Sequence, residues 1–135
     1  FNKIVQIIEI EDEELLKDNE YMKIYLSLGT SRQISYYLSA CEFLGLINKR
    51  KFTKLALEMR CLSKDTKILK FSQLIVSTPV FGEVFFSQYL YGEKYNSEQI
   101  AQLIGLIYKI DNLEVCKRRA STVLKWISWI ENNKN

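Results

Sequence analysis

The residues best suited to chemistry stand near the carboxyl end of the chain, between Val115 and Ile130. Read at 3.6 residues per turn, the apolar side chains of this stretch fall on one side of a helix and the polar side chains on the other. The polar side carries two cations and two hydroxyls without a carboxylate: Arg118, Ser121, Thr122 and Lys125. Such groups donate hydrogen bonds to phosphate oxygens and to base edges, so the pattern predicts contact with a nucleic acid. The alternative is a helix with ordinary solvated charges.

A shorter helix is expected directly before this stretch, over residues 96–110, and it opens on Asn-Ser-Glu-Gln, a capping-box pattern. Only a few residues around Asp111-Asn112 separate the two predicted helices. Two helices joined by a tight turn, the second with a cationic free face, are typical of a helix-turn-helix. Lys117 and Arg119 add further cations, and an internal carboxylate partner is the competing role for Arg119.

A second unit of the same kind is predicted earlier in the chain. Thr30 and Gln33 fit a capping box, which predicts a helix that runs to about Leu44 and stops at Gly45. Gly29 is expected to end the preceding helix in the left-handed conformation. The outer face of the new helix carries the candidate base-reading residues: Arg32, Gln33, Ser35, Tyr36 and Ser39. Gln33 can pair with adenine only if capping does not use it, and a core position is the alternative for Tyr36.

Residues 46–53 follow this helix as two short apolar stretches around a cationic tip, which predicts a two-stranded hairpin. A hairpin placed directly after such a helix is the wing of a winged helix. Its tip would lie against phosphates or reach into a minor groove through Lys49, Arg50 and Lys51. Further phosphate contacts are expected from Lys54, Lys64, Lys67 and Lys117.

Catalysis within this chain is not expected. Histidine is absent, which excludes the triads and metal sites that need it, and no glycine-rich nucleotide loop or Glu-x-Lys nuclease pattern occurs. The three cysteines show no Cys-x-x-Cys spacing, so we predict buried, reduced thiols and neither a metal nor a cofactor. The acidic run from Glu11 to Glu14 is interpreted as a solvated helix start.

Composition favours a globular, mainly α protein of 135 residues, and no run of apolar residues is long enough to cross a membrane. We expect a cytoplasmic location. Because the first residue is Phe, we also expect a piece of a longer parent chain. Residues 1–20 carry seven acids and two bases, a net charge of −5, so the remainder carries +8. This asymmetry suggests that one surface meets a polyanion.

Several stretches together resemble the tandem winged-helix DNA-recognition region of bacterial type II restriction endonucleases and related restriction–modification proteins. The first half of the resemblance lies in residues 31–37, 43–47 and 51–53, and the second in residues 79–81 and 118–123 with Trp126 and Trp129. It begins at about Glu20, and residues 1–19 do not align. The resemblance implies a nuclease site in another domain, and it matches the recognition-helix positions to Arg32, Gln33, Tyr36, Arg118, Arg119 and Thr122.

The sequence therefore predicts a mainly α, tandem winged-helix protein with a small β-hairpin wing. A first winged-helix unit is expected over residues 1–62 and a second helix-turn-helix unit over residues 63–135. The expected partner is double-stranded DNA, bound as the non-catalytic recognition module of a larger restriction-type protein. The alternatives are a transcriptional or replication regulator with the same fold, which a homodimer on a palindromic site would favour, and a helical protein–protein interaction module.

Overall fold

The computed structural model of the chain describes residues 1–133. It contains two compact units, one formed by residues 1–67 and one that begins at Ile68. Among the described residues the chain forms eight α-helices and one two-stranded antiparallel hairpin. The fold is mainly α, as the sequence predicted.

The first unit packs two short helices against a longer one. In chain order its elements are α1 (Asn2–Ile8), a 3-10 helix (Glu13–Lys17), α2 (Asn19–Tyr25), α3 (Ser31–Phe43), β1 (Ile47–Asn48), β2 (Lys51–Phe52) and α4 (Lys54–Arg60). Helices α1 and α2 pack against α3, and α4 packs against α1. Burying each large apolar side chain between them stabilises the unit by about 1.5–3 kcal/mol. The core includes Ile4, Ile7, Ile8, Leu16, Met22, Ile34, Leu38, Cys41 and Met59.

Helix α3 begins and ends where its sequence signals stand. The Thr30 hydroxyl accepts from the Gln33 N–H at 3.3 Å, and the Gln33 side chain accepts from the Thr30 N–H at 3.3 Å, which confirms the capping box. At the other end Gly45 adopts a φ of 79°, and the Leu46 N–H returns to the Cys41 carbonyl at 2.9 Å. This is a Schellman motif, which a residue without a Cβ adopts most easily.

The prediction for Gly29 is wrong. The left-handed residue after α2 is Ser27, with a φ of 55°, and the Leu28 N–H donates to the Lys23 carbonyl at 2.8 Å. Ser27 follows the last residues of α2 at the position where this motif needs a positive φ, whereas Gly29 lies two residues later. The Gly29 N–H instead donates to the Gln33 Oε1 at 2.9 Å and joins the cap of α3.

The acidic residues near the start of the chain serve the local fold. The Asp12 carboxylate accepts from the Glu14 N–H, and Asp18 accepts from the Tyr21 N–H, each at 3.1 Å, so the two residues cap the 3-10 helix and α2. The Glu13 carboxylate reaches further and accepts from the Phe52 N–H of β2 at 3.2 Å. The acidic run from Glu11 to Glu14 thus begins the 3-10 helix and holds the hairpin, and Asp18 begins α2.

The second unit consists of four helices. Helix α5 (Lys64–Val76) starts in the first unit and continues into the second, followed by α6 (Phe81–Tyr91), α7 (Ser97–Ile107) and α8 (Leu113–Asn133). Helix α8 packs against α6 and α7. Its two tryptophans are buried, Trp126 with its ring centre 5.0 Å from that of Phe81, and Trp129 edge-on to Phe71 at 6.2 Å. Both are therefore packing residues.

The junction between α5 and α6 is tight and strained. Val80 is fully buried at a φ of 76°, a conformation that costs a β-branched residue on the order of 1–3 kcal/mol. A Cβ on Gly82 would lie 2.2 Å from the Val76 carbonyl oxygen, so only glycine fits there. The Tyr108 hydroxyl of the second unit donates to the Pro79 carbonyl at 2.7 Å and holds the junction from outside.

Within residues 1–133, none of the helices taken alone combines the length and the apolar character that a membrane crossing requires. Helices α5 and α6 pass that test only as a pair, and they bend by 105° where they meet. The apolar side chains of this pair include Phe71, Ile75, Phe81 and Val84, which are buried.

Candidate functional site

Helix α3 exposes a polar face, here called the α3 face and formed by Arg32, Ser35, Tyr36 and Ser39. At about 100° per residue these positions share one side of the helix. The opposite side holds the buried Ile34, Leu38 and Cys41, which fix the rotation of α3 in its unit. Among the described residues Arg32 makes no ion pair, so its guanidinium is available to a ligand.

Gln33 and Tyr36 differ in how much of each side chain is available to a ligand. The Gln33 Oε1 accepts from both Gly29 and Thr30, so the residue is used by the cap and only its amide donors are left for a base. Tyr36 is 46% exposed and its ring lies edge-on to Tyr37 at 4.9 Å. Burial raises the pKa of Tyr37, and the neighbouring Tyr36 raises it further. The pair therefore leaves Tyr36 outside the core with its ring supported by Tyr37.

The hairpin after α3 is very short. Ile47 pairs with Phe52 and Asn48 with Lys51, which leaves Lys49 and Arg50 as a two-residue turn. Their φ values are 52° and 57°, the left-handed pair of a type I′ turn. Turns of this type normally contain asparagine and glycine, so two cations here carry a conformational cost.

Of the predicted wing cations, two are exposed and one is partly used by the fold. Lys49 and Lys51 are exposed, and neither forms an ion pair within residues 1–133. The Arg50 guanidinium is half-buried and donates to the Leu16 carbonyl at 3.4 Å.

Lys67, expected on a phosphate, instead pairs with Glu9 at 2.6 Å and is only 16% exposed. A direct phosphate contact through Lys67 is therefore not available in this structure.

Helix α8 exposes the second polar face, here called the α8 face and formed by Lys117, Arg118, Ser121 and Lys125. Buried Cys116, Ala120 and Val123 lie on the opposite side of the helix. Lys117 stands 3.9 Å from Glu114, and both side chains are more than half exposed, so this pair is weak. Arg118 and Lys125 form no ion pair within the described part of the chain.

Thr122 and Arg119 stand at the margins of the α8 face. Thr122 is half-buried, and its hydroxyl donates to the Arg118 carbonyl one turn earlier at 3.4 Å. Arg119 is exposed and lies near Tyr108. Burial raises the pKa of the Tyr108 hydroxyl, the Arg119 charge opposes this shift, and Glu83 adds to it. The structure thus brings together Lys117, Arg118, Ser121 and Lys125 and sets Arg119 toward the α7 turn.

The turns that precede the two faces have the same construction. Five residues separate α2 from α3, and five separate α7 from α8. In each turn the second residue is left-handed, Ser27 with a φ of 55° and Lys109 with a φ of 56°. In each the fifth residue caps the following helix, Thr30 for α3 and Asn112, whose Oδ1 accepts from the Glu114 N–H at 3.0 Å.

Close packing supports the second turn. A Cβ on Gly105 would lie 3.2 Å from the Ile110 carbonyl oxygen and 3.6 Å from the Cys116 sulfur, so glycine lets α7 approach the start of α8. The Ile110 N–H donates to the Gly105 carbonyl at 3.1 Å. These contacts fix the direction in which α8 leaves the turn.

No cluster of three metal-ligating side chains occurs among residues 1–133. Cys41 and Cys116 are buried free thiols, but Cys61 is exposed, contrary to the prediction that all three are buried. Cys61 is the residue that directly follows the last residue of α4, and its apolar neighbours in the sequence do not cover it there.

Sequence reasoning missed a groove on the second unit. It is an open depression of about 750 Å³ along the α5–α6 junction, α6 and the segment that follows α6. Its lining includes Pro79, Glu83, Phe86, Tyr91, Glu93 and Tyr95. The available signal was the Ser-Thr-Pro helix break, but the strained Val80 and the tight packing at Gly82 that shape the groove are visible only in the structure.

Comparison with known proteins gives a family without an assigned activity. The sequence profile of a family described as a domain of unknown function (DUF7226) matches residues 3–135. No curated protein and no solved structure shows significant similarity to the chain. Both polar faces, the hairpin and the groove lie inside the matched region.

Proposed function

Since the chain belongs to the DUF7226 family, whose function is unknown, we propose a function from its own residues: it binds double-stranded DNA through the α3 and α8 faces. The observation that carries the proposal is the repeated construction of the two turns, at Ser27 and at Lys109. Each turn directs a capped helix whose outer face offers cations and hydroxyls. This arrangement suits a helix-turn-helix, in which the second helix enters the major groove.

Base reading is assigned to a few side chains. Arg32 and Arg118 carry planar guanidinium groups, which can donate two hydrogen bonds to guanine O6 and N7. Ser35, Ser39 and Ser121 are exposed hydroxyls beside them and can contact bases or phosphates. In this proposal Gln33 contributes only its side-chain amide donors to DNA binding, because its Oε1 already accepts the hydrogen bonds that cap α3.

Phosphate contact is assigned to exposed lysines. In the first unit Lys49 and Lys51 of the hairpin lie directly after α3 in the chain, where a wing stands in a winged helix. In the second unit Lys117 and Lys125 flank Arg118 on α8. Such contacts release counterions, so the affinity they supply falls as salt rises.

We extend this proposal to the kind of DNA-binding protein that the chain belongs to. The chain would be a tandem winged-helix recognition module of a restriction-type protein, with the nuclease in another domain and this part non-catalytic. The hairpin of the first unit would serve as its wing. The second unit forms no strand among the described residues, so it would act as a plain helix-turn-helix. A regulator with the same DNA-binding units is the competing identity, and a palindromic site bound by a homodimer would favour it.

Fluorescence anisotropy tests DNA binding with a labelled random duplex of about 20 base pairs, long enough for two recognition helices. We expect the affinity to fall about 10²-fold between about 50 and 200 mM salt if about four phosphates are contacted. Selection from a random duplex pool should then enrich one site. Absence of binding at about 100 µM protein in low salt, where even non-specific DNA binders associate, rejects the proposal.

A further inference from the structure

The groove on the second unit has fixed walls. Gly82 has no room for a side chain, because a Cβ would lie 2.2 Å from the Val76 carbonyl oxygen. Val80, buried at a φ of 76°, turns the chain between α5 and α6, and the Tyr108 hydroxyl holds the Pro79 carbonyl at 2.7 Å. A surface held in this way loses little conformational entropy when a ligand binds.

The lining of the groove is aromatic and negatively charged. Phe86, Tyr91 and Tyr95 contribute rings, and Glu83 and Glu93 contribute carboxylates, whereas the lining residues include no lysine or arginine. Neither glutamate forms an ion pair within residues 1–133. Aromatic faces attract cations, and carboxylates accept hydrogen bonds from guanidinium and ammonium groups. The groove is therefore complementary to a positive ligand, the opposite of the cationic α8 face.

The shape of the groove selects among positive ligands. Sites for small molecules enclose most of the surface of their ligand, but this depression of about 750 Å³ is open to solvent along its length. An extended polypeptide lies naturally in an open groove lined with aromatic residues, as in the recognition of polyproline-type segments. Phe86 is 45% exposed and Tyr91 is 75% exposed, so both rings can close against a chain laid over them.

We propose that this groove binds an extended segment of a partner protein through an arginine or lysine side chain placed between Glu83 and Glu93. The rings of Phe86, Tyr91 and Tyr95 cover the stem of that side chain and the flanking residues. The site is independent of DNA binding, because it uses neither the α3 face nor the α8 face.

The test uses the full chain and four pools of acetylated heptapeptides with random flanks and a fixed central arginine, lysine, glutamine or glutamate. Amide chemical shifts report the binding position, and anisotropy of labelled pools reports the affinity. We expect the arginine and lysine pools to shift the signals of Glu83, Ser87 and Glu93. Each of Glu83→Gln and Glu93→Gln should weaken that binding about threefold to fivefold, the worth of a partly exposed charge pair.

Glu98→Gln is the matched control, since it removes an exposed carboxylate of the second unit that does not line the groove. It should leave peptide binding unchanged, and equal weakening by all three variants overturns the proposal. Binding of Nα-acetylarginine amide as tight as that of the heptapeptides overturns the assignment to an extended segment. No shift from any pool at about 1 mM peptide, a weak-affinity limit, also overturns it. None of these results depends on whether the chain binds DNA.

Discussion

Ser27 and Lys109 occupy the same place in two separate turns. Each is the second of five residues between two helices, and their φ values are 55° and 56°. Behind each, the next N–H returns to a carbonyl five residues earlier, from Leu28 to Lys23 and from Ile110 to Gly105. The two turns are therefore Schellman motifs, both built without glycine at the left-handed position.

Glycine at either position should stabilise the chain. A non-glycine residue in the left-handed conformation costs about 1–2 kcal/mol, which glycine avoids. Glycine also loses more conformational freedom on folding, and this loss offsets part of the gain. We expect Ser27→Gly and Lys109→Gly each to raise the free energy of unfolding by about 0.5–1 kcal/mol. Urea denaturation followed by circular dichroism measures the change.

Gln102→Gly serves as the control for that experiment. Gln102 is exposed within α7, where glycine lowers stability by about 0.5–1 kcal/mol. Destabilisation by glycine at Ser27 or Lys109 as well would show that these residues are not left-handed in solution.

Removing the Arg118 side chain should separate base reading from general attraction to DNA. If Arg118 reads a base, Arg118→Ala should weaken binding to the selected site by about 1–3 kcal/mol and relax the preference at one position. Lys94→Ala removes an equal charge from the exposed segment after α6 and is the control. Equal loss on every duplex would make Arg118 a phosphate contact, and equal loss in both variants would reject the α8 face.

Asparagine at Lys49 should raise stability and lower DNA affinity at the same time. Lys49 is the first central residue of the type I′ turn, where asparagine is favoured, so Lys49→Asn should gain about 0.5–1 kcal/mol in the free energy of unfolding. The lost charge should reduce affinity equally on all sequences and flatten the salt dependence.

Lys51→Asn is its matched control, because Lys51 lies in β2 beside the turn and carries the same exposed charge. It should reduce DNA affinity in the same way without any gain in stability. A gain in stability from both variants would mean that the turn strain is not the cause.

The cysteines should differ in reactivity and pH response. Burial raises the pKa of the Cys41 thiol to about 12, and the nearby Glu42 carboxylate adds to the shift. With a thiol reagent at neutral pH, Cys61 should react first, and Cys41 and Cys116 only on unfolding. Cys61→Ser should abolish the fast phase, and a second fast thiol would contradict the burial of the other two.

The raised pKa of Cys41 also determines how the stability of the chain changes at alkaline pH. In the unfolded chain the Cys41 thiol ionises near the ordinary cysteine pKa of 9.0, whereas in the native chain it stays protonated until about 12. The contribution of Cys41 to the free energy of unfolding is therefore fully present below about pH 9 and is lost progressively as the pH rises toward 12. Tyr37, whose pKa burial also raises, acts in the same direction. Urea midpoints should therefore fall above pH 9, and a midpoint that rises there would contradict this account.

Local signals in the sequence located most helix boundaries. Thr30 and Asn96 opened capping boxes, and Gly45 closed α3, because each signal acts over only a few residues. The sequence did not show that Ser27, rather than Gly29, takes the left-handed position. Helix α2 ends at Tyr25, so the left-handed position two residues later falls on Ser27 and not on Gly29.

Which cations are available to a ligand was harder to predict from the sequence. Arg50 and Lys67 looked like free cations, but their partners, the Leu16 carbonyl and the Glu9 carboxylate, stand 34 and 58 residues away in the chain. Pairings at such separations depend on tertiary packing, which a local pattern does not encode. The α8 face was easier, because helical periodicity alone places Arg118, Ser121 and Lys125 on one side.

The hydrogen bond from the Phe52 N–H to the Glu13 carboxylate has a consequence for how other chains can associate with the hairpin. A free strand edge offers its amides to any extended chain that passes, and it is a common seed of aggregation. In β2 the Phe52 amide is already occupied, and Lys51 places a charge beside it. The β2 edge therefore cannot offer its Phe52 amide to a third strand, and the exposed Lys51 charge opposes the approach of another strand along it.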